Sequence, residues 1–146
     1  MFKILFVLLT MTALAFAEEK PLRTIEAVRA LSNEEAAKRH KAEIEGTVLF
    51  VYSKHSAIIL HDGTGSCWVG ASSPLNKNIK YGSKVRVTGE TYIESSYLAN
   101  IRGATAEYLG EGSIPEPRVA RAEDLFAQWI DTQWIQMEAL VVGTEE

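Results

Sequence analysis

From Lys41 to Phe50 the residues alternate, with Ala42, Ile44, Gly46, Val48 and Phe50 on one parity and Glu43, Glu45 and Thr47 on the other. A period of two marks a strand with one face buried and the other wet. Gly46 stands inside that strand, on the apolar parity. A glycine there weakens local pairing, but it lets the strand bulge or coil sharply. One long coiled strand of this kind can serve two sides of a small closed barrel.

The following segments supply the remaining strands. Ser53-Lys54-His55-Ser56 reads as a polar turn, Ala57 to His61 as a second strand and Ser66 to Gly70 as a third. Ala71 to Ser83, with Pro74, two asparagines and Gly82, reads as a longer surface connection with room for one helical turn around Leu75 to Ile79. Lys84 to Thr91 alternates again as a fourth strand, and Thr105 to Leu109 is the fifth, ending at Gly110-Glu111-Gly112. Five short antiparallel strands with a glycine in the long first one describe an all-β fold of the oligonucleotide/oligosaccharide-binding (OB) type over residues 41–112.

Asp62-Gly63-Thr64-Gly65, between the second and third strands, has the look of a glycine loop that cradles phosphate. Such loops lead from a strand into a helix whose N-terminal N–H groups hold the anion, and the Walker version ends in Gly-Lys-Ser/Thr. Here the loop leads into Cys67-Trp68-Val69, a β-prone run, and the lysine is missing. Asp62 and the glycines instead meet the needs of a tight hairpin: side-chain-to-backbone bonding and positive φ.

Met1-Phe2-Lys3 sets a positive charge ahead of the apolar run Ile4 to Phe16, and Ala15-Phe16-Ala17 offers the small-x-small pattern of a signal peptidase site. The run is shorter than the ~20 residues of a membrane span. Residues 1–17 are therefore predicted to be a signal peptide, with the mature chain starting at Glu18 in the periplasm or medium and carrying no membrane anchor. Cys67 is the only cysteine, so neither a lipid anchor at the cleavage point nor an intrachain disulfide is available. Without Lys3, 14 of the 15 Lys and Arg face 19 Asp and Glu, a net charge of −5. That balance opposes phosphate-backbone binding, which relies on clustered cations.

Residues 18–40 form a helical lead-in. Thr24 precedes Ile25, Val28 and Leu31 at helical spacing, and Ser32-x-x-Glu35 is a capping box. After the stiff linker 113–118, containing Ile114-Pro115-Glu116-Pro117, Arg121 to Gln128 reads as helix and Trp134 to Val142 as strand. With Ile44 laid on Met137, Ile44-Glu45-Gly46-Thr47-Val48 meets Met137-Glu138-Ala139-Leu140-Val141, so residues 119–146 read as a partial second repeat. Two readings stay open for it: a fragment of a longer parent, or a segment packed back on the first barrel. Its last strand lacks a sequential partner, which leaves dimerisation through this segment open as well.

Thr24 to Leu31, Ser32-x-x-Glu35-Ala36-Ala37, Ile44 to Val48, Leu60-His61-Asp62-Gly63-Thr64-Gly65 and Pro115-x-Pro117 together resemble the extracytoplasmic OB-like region of certain bacterial sensor histidine kinases and diguanylate cyclases. Such regions often occur as tandem barrels ahead of a membrane helix and a signalling output. The resemblance implies an input or binding module. It carries over no ligand-contact residues, and no membrane helix, kinase or cyclase motif is present in the sequence.

The chemistry-bearing residues are few. Cys67 and His61 flank the turn and could face each other as a thiolate–imidazole pair. The plainer reading makes Cys67 a small core residue and His61 the tip of a strand edge. His40, His55 and His61 share no metal-like spacing, so no metal or cofactor is expected. No nucleophile, base and orienting group form a set, so no catalytic residue is assigned and the chain is read as a non-enzyme.

Trp68 points opposite to Cys67 and Val69 if those fill the barrel, which puts its ring on the outer face of strands two and three, where OB barrels stack bases or sugars. The competing expectation is that the N-terminal helices or the partial repeat cover it. Tyr52, Tyr92 and Tyr97 are weaker candidates of the same kind. The function these readings favour is an exported binding or sensor-input module for a small molecule, glycan or protein partner. A single-stranded nucleic-acid binder is the alternative, suggested by fold analogy and disfavoured by charge.

Overall fold

A computed structural model of the protein describes residues 20–93, 98–127, 130–140 and 142–143. The predicted signal peptide with its expected cleavage site at Ala17, and the candidate Tyr97, lie outside them. The fold is all-β with two short helices among the described residues: α1 (Ile25–Arg29) and α2 (Asn33–Ala36) precede β1 (Lys41–Tyr52), β2 (Ala57–His61), β3 (Ser66–Ala71), β4 (Ser83–Tyr92) and β5 (Asn100–Glu111). These five strands close into an OB-like barrel in the order β1-β2-β3-β5-β4. No described helix is long and apolar enough to cross a membrane.

Closure depends on β1 changing partners along its length. Lys41 to Thr47 pairs with β4, whereas Thr47 to Tyr52 pairs with β2. Gly46 sits at the exchange. A Cβ there would stand 2.5 Å from the carbonyl oxygen of His61, closer than real Cβ atoms come, so only glycine lets β2 approach this closely. Further along β1 a bulge between Val48 and Phe50 shifts the register.

One seam corrects the expectation of uniformly antiparallel strands: β3 and β5 run parallel, with Val69 opposite Ile101. The reason is parity. Neighbours can all alternate in direction around a closed ring only when the number of strands is even, so a ring of five must contain a parallel pair. β5 is also longer than the predicted Thr105 to Leu109, because Asn100–Ala104 supplies that seam. The helical turn expected around Leu75 to Ile79 is absent. The Asn76 side chain instead accepts from the Asn78 N–H at 2.9 Å, an Asx turn that competes with helix.

The barrel interior holds Ile44, Val48, Ile58, Leu60, Cys67, Val69, Val85, Val87 and Ile101, and α1 closes one end with Ile25 and Val28. Each large aliphatic buried in this way contributes about 1.5–3 kcal/mol. Thr24 caps α1 by accepting from the Ala27 N–H, and Ser32 caps α2 by accepting from the Glu35 N–H. The reciprocal half of the expected capping box gives way to other partners, since the Glu35 carboxylate bonds Lys38 and His40.

The Asp62 loop makes a tight connection between β2 and β3, with Gly63 at φ 93°. Asp62 Oδ1 accepts from the Thr64 N–H at 2.9 Å and the Thr64 hydroxyl at 2.7 Å. The loop does meet a helix N-terminus, that of α1, and fills it with its own carboxylate: Asp62 Oδ2 accepts from the Ile25 N–H at 2.7 Å.

Beyond the barrel, β6 (Arg118–Val119) pairs in parallel with β7 (Ile135–Gln136). Where the sequence predicts a helix from Arg121 to Gln128, the chain makes a 3-10 turn over Ala122–Phe126. Where it predicts a strand from Trp134 to Val142, only β7 forms, and residues 137–140 join no strand. A two-residue neighbour leaves nothing for a longer strand to pair with.

Candidate functional site

The outer face of β1–β3 carries an aromatic row. Cys67 and Val69 point into the core, so alternation turns Trp68 outward, where its ring centroid lies 4.7 Å from that of Tyr52. Phe50 continues the row at 4.5 Å from Tyr52. The rings are tilted by 49° and 60°, the inclined geometry that aromatic quadrupoles favour.

Phe50 was expected on the inward parity with Val48. The bulge between them reverses its direction, so it is 52% exposed and joins the face instead of the core. Between this row and residues 131–134 lies a groove of about 440 Å³, floored by Leu49 and Ile59. Among the described residues on its walls, Asp131 and Tyr52 alone are ionisable, and none is a lysine, arginine or histidine.

Of the predicted binding residues, the structure therefore brings Trp68 and Tyr52 together. Tyr92 is elsewhere, on β4, with the Arg102 guanidinium 5.5 Å from its ring centroid, and it does not line the groove. Of the two expectations for Trp68, covering by the C-terminal segment is the closer: the ring is half-buried beside residues 131–134.

Sequence reasoning missed Trp134. It lines this groove and a neighbouring one with Leu49 and Phe50, and its ring centroid lies 6.1 Å from that of Tyr81. The segment reaches this position through a polar latch on the first residue of β3. The Ser66 carbonyl accepts from Arg29 Nε at 3.1 Å and Gln133 Nε2 at 3.3 Å, and the Thr132 hydroxyl lies 3.1 Å from it. Arg29 also donates to the Asp131 carboxylate and carbonyl, each at 3.1 Å, and to the Thr132 hydroxyl. No local sequence signal joins residues some hundred positions apart.

The possible chemistry at the turn is settled by register. His61 stands opposite Ser66 and its Nδ1 lies 3.1 Å from the Ser66 hydroxyl, whereas Cys67 stands opposite Leu60. Cys67 is fully buried, and burial pushes its thiol up to about 12, so it is neutral at ordinary pH. His40 is held by Glu35 at 3.3 Å. Among the described residues, no three His, Cys, Asp or Glu converge to hold a metal ion.

No protein-family model matches this chain, and a search of curated proteins finds no match to it.

Proposed function

We propose that this chain is an exported, non-enzymatic binding module that takes a small molecule, a glycan or a protein partner on the outer face of β1–β3, as the input piece of a signalling system. The observation that carries this reading is the row Phe50, Tyr52 and Trp68 beside a groove without cationic side chains. Exposed aromatic rings of this kind offer flat ligands a stacking surface with little sequence requirement. The neutral, buried thiol of Cys67 supports the non-enzymatic part, because a cysteine nucleophile acts as its thiolate. Export is supported by the signal-like sequence of residues 1–17, and the sensing role by the resemblance to sensor-kinase and cyclase input regions.

The test is fluorescence titration of wild type and Trp68→Ala with glycan, small-metabolite and single-stranded DNA panels at moderate salt. Stacking on one such ring contributes ~1–3 kcal/mol, so Trp68→Ala is expected to weaken binding roughly tenfold or more. Binding unchanged in a folded Trp68→Ala protein removes this face from the reading. Tight DNA binding that falls steeply with salt replaces it with a nucleic-acid module.

A further inference from the structure

Leu49 and Ile59 are only 5% and 9% exposed, yet neither belongs to the core packed inside the barrel. They lie on its outer side, beneath the aromatic face. Trp134 borders both grooves that meet there, the one shared with Trp68 and a second of about 570 Å³ shared with Tyr81. A ring supplied by the chain itself thus already borders the face proposed above to bind rings.

We propose that Trp134 is a built-in occupant of this face, and that a flat, uncharged ring binding beside Trp68 competes with it and releases residues 130–136 from the barrel. This inference rests on the reading of the Trp68 face as the binding site.

Three observations make the seat of Trp134 one that a ligand can take. The segment has no strand pairing to the barrel: β7 is laddered only to β6, and the attachment to β3 is the polar latch around Ser66, Arg29 and Asp131. Within that latch Thr132, a β-branched residue, is held at φ 60°, in the left-handed region such residues avoid. Among the described residues the Trp134 Nε1–H is buried without a hydrogen-bond partner, so docking takes this donor out of water with no protein acceptor among them in exchange. Release relaxes the Thr132 backbone and returns the indole N–H to solvent. Partial burial of Trp134 beside Leu49 and Phe50 opposes release, and a ligand tips the balance by as much as it prefers the vacated face.

The occupant also indicates the ligand class. The indole is flat and neutral, the groove walls offer aromatic rings and no cation, and the Asp131 carboxylate is already engaged by Arg29. Anions find no counter-charge there.

The experiment uses the intact protein labelled with 5-fluorotryptophan, with unlabelled N-acetyl-tryptophanamide as the probe and fluorine NMR as the readout. Adding the probe is expected to move the Trp134 resonance to the position of a solvent-exposed indole and to speed amide exchange over 130–136. Because apparent affinity is reduced by the fraction of molecules with the site free, Trp134→Ala is expected to bind the probe roughly tenfold tighter than wild type. Asp131→Ala, which loosens the latch and keeps the ring, is expected to shift affinity in the same direction by a smaller factor. Weaker or unchanged binding by Trp134→Ala, still lost in Trp68→Ala, overturns the inference while leaving the binding face in place: Trp134 is then a wall of the site. Absence of any Trp68-dependent binding, in wild type and in Trp134→Ala alike, overturns the face and the inference together.

Discussion

Asp62 Oδ2 accepts the backbone N–H of Ile25 at 2.7 Å, which ties the β2–β3 turn to the first residue of α1. Thr64 adds a second tie, its hydroxyl accepting from the Glu26 N–H at 3.0 Å. The motif therefore positions the lead-in helix over the end of the barrel, and Ile25 and Val28 reach the core because of it. The Thr24 segment and the Leu60 to Gly65 segment, far apart in sequence, are the two halves of this one joint.

Asp62→Ala is expected to lower stability by about 1–3 kcal/mol, since it strands the Ile25 and Thr64 N–H groups together. Asp62→Asn should cost less, because its side-chain oxygen can still accept from one side of the joint. Urea unfolding of the three proteins measures this. A wild-type midpoint for Asp62→Ala means that the turn does not hold α1.

Two glycines should respond differently to the same change. In Gly46→Ala the new methyl meets the His61 carbonyl, a backbone atom that cannot swing aside, so β1 or β2 must shift at a cost of about 1–3 kcal/mol. Gly63→Ala has open space around it and suffers only from its φ of 93°, at about 1 kcal/mol. Thermal melts rank them, and the reverse order contradicts the proposed coiling of β1 at Gly46.

The barrel was legible because its strands bury one face, and burial of one face writes a period of two into the sequence. Gly46 marked the coil of β1 for the same local reason. What was not legible depends on distant partners. The bulge that turns Phe50 outward comes from how β1 meets β2. The start of β5 interrupts its alternation at Arg102 and Gly103, and its parallel partner β3 lies some thirty residues earlier. Trp134 reads as the first residue of a strand, and its place beside Leu49 on the groove wall follows from the Arg29 latch, which no periodicity records.

Cys67 gives a prediction in pH. Its folded-state thiol sits at about 12 against an ordinary value of 9.0, so the folded protein binds the proton more tightly than the unfolded one. Stability is therefore unaffected by this group below about pH 9 and falls between pH 9 and about 12, as the unfolded thiol ionises and the folded one does not. At pH 8, the lower thiolate fraction alone should slow reaction with a disulfide reagent on the order of a thousandfold relative to the unfolded chain. Fast native labelling at pH 8, before denaturant is added, contradicts the buried position.

The last prediction concerns Arg29, which joins three parts of the molecule. Its backbone lies in α1, its Nε reaches the Ser66 carbonyl at the start of β3, and its two terminal nitrogens hold Asp131 and Thr132. The side chain is 11% exposed, while that of Asp131 is 41% exposed, so the pair is partly screened and its strength lies in the fork of hydrogen bonds more than in charge attraction. A lysine keeps the charge but cannot reproduce that fork. Arg29→Lys is accordingly expected to leave the barrel folded and to loosen residues 130–136, with amide exchange there faster by roughly tenfold and barrel amides little changed, since losing one charge-assisted hydrogen bond costs about 1.5–3 kcal/mol. Segment-resolved hydrogen exchange measures both regions at once. Equal slowing or quickening across barrel and segment means that the latch and the barrel form one cooperative unit, and unchanged exchange over 130–136 means that packing of Trp134, not Arg29, holds the segment in place.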